Sequence, residues 1–134
     1  MIHNIFADSA VTLKRRLLTL LGHAFVAWAL CTLTMMVGLA VTTVEIALIV
    51  HAIGAPIFSA IVSWSYFRRF QYTTPLQTAI SFVSFVIVVD FFLVALIINR
   101  SLEMFASPLG TWIPFALIFL AALLTGKRMK RRYA

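Results

Sequence analysis

The sequence predicts an all-α fold: an integral membrane four-helix transmembrane bundle with both termini in the cytoplasm. Three observations predict it. Four apolar runs, near 17–41, 46–67, 76–98 and 108–126, approach or exceed the length that crosses a bilayer, about 20 residues. Hydrophobic residues make up 63% of the chain and charged residues 11%, with a mean hydropathy of +1.04. A soluble domain averages about 45–50% apolar and about 25% charged. The cations also fall unevenly. With four crossings, Lys14, Arg15, Arg16, Arg68, Arg69, Lys127, Arg128, Lys130, Arg131 and Arg132 share one side, and Arg100 alone lies on the other. The positive-inside rule makes the crowded side cytoplasmic, and a prokaryotic plasma membrane is the expected location. The 134 residues suffice for one domain.

Residues 1–16 form an amphipathic lead in which Asp8 or Ser9 can cap a helix running into span 1. Lys14-Arg15-Arg16 resemble the charged start of a signal peptide. The apolar stretch that follows exceeds a signal core of about 7–15 residues and lacks a small-x-small cleavage site, so an uncleaved first span is expected. Thr19, Thr32 and Thr34 in that span can bond their own helix's carbonyls. His23 lies near enough to the basic end to reach headgroups.

Thr42-Thr43-Val44-Glu45 is a short turn. Either threonine can cap span 2, and Glu45 suits the first turn of its dipole. Spans 1 and 2 are therefore an antiparallel hairpin. In span 2, His51, Ala55, Ser59 and Ser63 recur every four residues and share a face. Small residues at that spacing let two helix backbones approach closely, which predicts a packing face at Ala55, Ser59 and Ser63. Pro56 predicts a bend near Gly54. Trp64, Tyr66 and Phe67 followed by Arg68-Arg69 read as an interfacial aromatic belt ending in a basic loop.

Thr74-Pro75-Leu76-Gln77 reads as a capping box with proline at the first helical position. Span 3 begins there and carries one formal charge, Asp90, deep in the apolar run. An α-helical wheel groups Asp90 with Ala79, Val83, Val86, Val94 and Ile97, facing inward. It sends Phe82, Phe85 and Phe92 toward lipid. Residues 99–112 form the longest connection, and Leu102, Met104 and Phe105 suit the membrane surface. Two starts fit span 4, at Ser107-Pro108 or at Thr111. Gly126 reads as its C-cap, and 127–134 as a basic cytoplasmic tail.

Asp90 and His51 form the candidate intramembrane polar site. His51 falls about 8 Å and Asp90 about 12 Å below the outer boundary, so the two can meet if spans 2 and 3 are neighbours. Such a pair can lock helices, relay a proton or bind a cation, and a structural contact is the simpler reading. Arg68, Arg69, Lys127, Arg128, Lys130, Arg131 and Arg132 are candidate contacts for anionic headgroups on the cytoplasmic side. Nucleic acid is not an expected partner, because the cations flank apolar runs. The histidines and acids make no metal motif, no cofactor is expected, and the single cysteine, Cys31, excludes an intramolecular disulfide. GxSxG, HExxH, phosphate-loop and CxxC motifs are all missing, so an enzyme is not expected.

Size and span count resemble those of the small multidrug-resistance transporters. That family carries a glutamate in its first span. Here span 1 has no acid and the intramembrane acid stands in span 3, so the resemblance is one of architecture and carries over no site. Two functions follow from the residues. One is an interaction or accessory subunit assembled through its transmembrane helices, with a second copy or another membrane protein as partner. The other is a small oligomeric transporter or channel coupled to protons or cations through Asp90.

Overall fold

The computed structural model describes residues 2–70, 72–98, 100–101, 103–106 and 108–133. Asn99, Leu102 and Ser107 fall outside the described residues, as do the side chains of His3, Glu103, Met104, Arg131 and Arg132. Among the described residues there are helices and turns and no strand. The elements are α1 (Ile2–Val41), α2 (Val44–Arg69), α3 (Pro75–Val89) and α4 (Ile113–Tyr133). Alpha-helix gives way to π-helix over Asp90–Ile98, directly after α3, and a second π-helical segment, Pro108–Trp112, leads into α4. A 3-10 turn, Glu103–Ala106, lies between them.

Three helices are long and apolar enough to cross a membrane: Ala7–Val41, Val44–Arg69 and Pro75–Ile97. Along their apolar stretches these helices turn large hydrophobic side chains outward. Leu33, Val37, Ile53, Ile57, Val88 and Phe92 are all exposed, a surface that belongs in hydrocarbon. The chain is accordingly an integral membrane protein. The apolar part of α4 is shorter.

The lead and span 1 are a single helix. At 40 residues α1 is about 60 Å long, twice the roughly 30 Å hydrocarbon core. Asp8 and Ser9 lie within it and do not cap it, because the chain is already helical from Ile2. Thr43 caps α2, its side chain accepting from the Ile46 amide. Pro56 sits inside an unbroken α2. At Thr74 the capping box is complete: Thr74 Oγ1 accepts from the Gln77 amide, and Gln77 Oε1 accepts from the Thr74 amide. Arg100 follows the π-helical segment at φ 52°, in the left-handed region, and the Ser101 amide closes the end by donating to the Ala95 carbonyl at 2.9 Å.

The helices form a ring in the order α1, α2, α4, α3. Helices α2 and α3 are diagonal to each other, and so are α1 and α4. Directions follow from the contacts. Gly38 meets Ala47 near the turn while His23 meets Tyr66 far from it, so α1 and α2 are antiparallel. Ser59 bonds Ile118 and Phe67 meets Gly126, so α2 and α4 run the same way. Phe25 meets Phe85 and Trp28 meets Asp90, so α1 and α3 also run the same way. The core between them is filled by Leu20, Ala24, Ala55, Tyr66, Phe82 and Ile118.

Gly126 does not end α4, which continues to Tyr133. Lysine and arginine are good helix formers, so the basic tail extends the helix. Glycine is needed there for a different reason. A Cβ at 126 would lie 2.8 Å from both the Phe67 ring and the Pro75 side chain. The missing side chain lets α4 close over the start of α3 and the end of α2.

Candidate functional site

The candidate site is an acid on α3 and an indole on α1. Nε1 of Trp28 donates to a carboxylate oxygen of Asp90 at 2.8 Å. Trp28 is buried and Asp90 half-buried. An ionised carboxylate offers about four lone-pair sites, and the structure gives it one neutral donor. The spans place no lysine or arginine near that depth. The remaining acceptor capacity calls for a proton, a cation, water or a donor from another chain. Phe25 stands beside this pair, its ring 5.7 Å from Trp28 and 6.5 Å from Phe85. Phe25 and Phe92 are both exposed, so lipid-facing rings flank the α1–α3 contact close to the carboxylate.

The backbone changes at the same residue. Asp90 is where i→i+4 bonding gives way to π-helix. Wider turns rotate the faces of everything beyond it. An α-helical wheel turns Ile97 inward, yet Ile97 is 64% exposed, and Ala95 is fully buried in its place. Phe82, assigned to lipid by the same wheel, is also fully buried. It lies at the edge of the inward stripe, which in a packed bundle is wide enough to include it. Phe92 is exposed, as the wheel has it.

Asp90 and His51 do not meet. The α2 helix that carries His51 lies diagonal to α3, and the carboxylate's one hydrogen bond comes from α1. The His51 ring lies instead against the backbone of Cys31 on α1, with Nδ1 buried and without a hydrogen-bond partner. Cys31 is buried and free, one turn along α1 from Trp28. The Cys31 turn thus stands between the two residues expected to touch. Among the described residues, no three of His, Cys, Asp and Glu gather closely enough to hold a metal ion.

Ala55, Ser59 and Ser63 are all buried within this chain. Ser59 Oγ donates to the Ile118 carbonyl of α4 at 3.1 Å, and Ser63 Oγ has no partner. This small-residue face is therefore occupied by α4 rather than free for another protein. Arg68, Arg69, Lys127, Arg128 and Lys130 are exposed at the end of the bundle where α2 and α4 finish. The Arg68 guanidinium lies 5.0 Å from the centre of the Trp64 ring, and that of Arg16 lies 5.3 Å from Tyr72. His23 is half-buried. Its Nδ1 donates to the Thr19 carbonyl at 2.8 Å, and its ring packs on Tyr66 and Phe70.

Sequence reasoning missed Trp28. The available signal was its depth, because tryptophan in membrane proteins favours the interfaces. One in mid-span has an N–H that needs an acceptor, and Asp90 is the acid at a similar depth. No protein-family model, curated protein or solved structure matches the chain.

Proposed function

We propose that the chain is an assembly subunit of a membrane complex, an interaction or accessory protein that meets its partner along the α1–α3 seam. The partner is a second copy or another membrane protein. The observation that carries this reading is Asp90 itself, half-buried where α1 meets α3 and held by one neutral donor. An acid in that position is stabilised when a neighbouring helix covers it and adds a donor. The small-residue face of α2 lends no support, since α4 already fills it.

The same proposal has the chain cross four times, with both ends in the cytoplasm of a prokaryotic cell and the basic residues against anionic headgroups. Residues 108–126 reach from the Trp112 end of the bundle to Gly126 beside Phe67, the near-cytoplasmic end of α2. That reach supports a fourth crossing.

A second reading, proton or cation coupling through Asp90 in an oligomer, draws on the π-helical segment that starts at this acid. Such segments are frequent at functional sites. Both readings are tested on one preparation, by cross-linking in native membranes followed by flux in proteoliposomes across a pH gradient. Assembly predicts a cross-linked partner that Asp90→Leu loses, and no flux above empty vesicles. Flux that Asp90→Asn abolishes would support coupling instead. A chain that is monomeric and unpartnered after mild cross-linking contradicts assembly.

A further inference from the structure

A groove runs between α1 and α2 on the outside of the bundle, away from Asp90. Its volume is about 540 Å3. Leu18, Gly22, Val26, Leu30 and Ile61 give it an apolar lining, with Thr19, His23 and Ser65 as polar neighbours toward one end. Nothing of this chain fills it. A Cβ built at Gly22 meets no atom within 4 Å.

The end of the groove is basic. Leu18 and Thr19 also line a second depression, shared with Lys14, Arg15 and Val11. Both cations are exposed. Arg16 and Arg68 nearby lie over Tyr72 and Trp64, which leaves Lys14 and Arg15 as the cations at the groove's mouth. The dimensions match one leaflet. Leu18 to Leu30 spans about 18 Å of helix, against roughly 15 Å for half of the hydrocarbon core. A positive mouth and a largely apolar trough about one leaflet long are complementary to an anionic lipid.

We propose that the α1–α2 groove is a site for one anionic phospholipid, its phosphate at Lys14 and Arg15 and one acyl chain lying along Gly22. This differs from a diffuse basic collar touching many lipids. It is a stoichiometric site with a defined floor, and its cations come from α1 rather than from the tail.

Native mass spectrometry tests it, on the full chain in non-ionic detergent with dioleoyl phosphatidylglycerol or dioleoyl phosphatidylcholine added. The wild type should retain one phosphatidylglycerol, preferred about 30-fold from two cations near the headgroup. Gly22→Leu fills open space, so the bundle should keep its helix content by circular dichroism and lose the adduct, with Gly22→Ala in between. Lys14→Gln with Arg15→Gln should bring the two lipids to near parity. Equal retention of both lipids by the wild type overturns the proposal. So does an undiminished adduct in Gly22→Leu, or a protein dimer that Gly22→Leu dissociates without any lipid adduct.

Discussion

Trp28 supplies the hydrogen bond that Asp90 receives from within this chain, and the worth of that bond can be measured. In a double-mutant cycle of Trp28→Phe and Asp90→Asn, thermal or denaturant stability in detergent should give a coupling of about 1–2 kcal/mol. Trp28→Phe alone should be the costlier single change, because it leaves a carboxylate without its donor. A coupling indistinguishable from zero would mean that the indole and the acid do not share a hydrogen bond. Two glycines, one buried and one exposed, predict opposite signs. Gly126→Ala drives a methyl into Phe67 and Pro75 and should cost about 1–3 kcal/mol. Gly22→Ala has open space and should be neutral or gain up to about 1 kcal/mol. Both are read from melting in the same detergent.

Helix ends were legible in the sequence where the information is local. Thr74 and Gln77 sit three residues apart and cap each other whatever surrounds them. Thr74→Ala should therefore lower stability by about 1 kcal/mol, and Thr74→Ser should restore most of it in the same melting assay. The cap of α2 was legible only as a choice between Thr42 and Thr43, and the structure uses Thr43. The other end of the problem is not local. Gly126 looks like a C-cap because it follows an apolar run and precedes cations, but its reason for being glycine lies in Phe67 and Pro75, far away in sequence. The α-helical wheel placed Ala79 and Val86 of α3 correctly and misplaced Phe82 at the edge of the buried stripe; beyond α3 it failed at Ile97, because no residue in Asp90–Ile98 announces a π-helix. Ile, Leu, Val and Phe suit either helix equally.

Chain connectivity also misled at the level of the bundle. The loop between α2 and α3 is short, which suggests neighbours, yet it crosses the diagonal and leaves α1 between His51 and Asp90. Ring order depends on how four apolar surfaces pack, and hydropathy alone carries no record of it. What hydropathy and charge bear on is the threading proposed above. The helix directions read from His23–Tyr66, Ser59–Ile118 and Trp28–Asp90 are those an up-down-up-down path requires, and that path would set ten cations against one.

That path is the claim on which the partner seam, the lipid groove and the depth of Asp90 rest. It is tested by single cysteines at Ala10, Arg100 and Lys130 in a Cys31→Ser background, labelled with a membrane-impermeant maleimide in sealed vesicles of known sidedness. Four crossings predict that Ala10→Cys and Lys130→Cys react from the cytoplasmic face and Arg100→Cys from the other. Labelling of Ala10→Cys and Lys130→Cys from opposite faces would contradict the account.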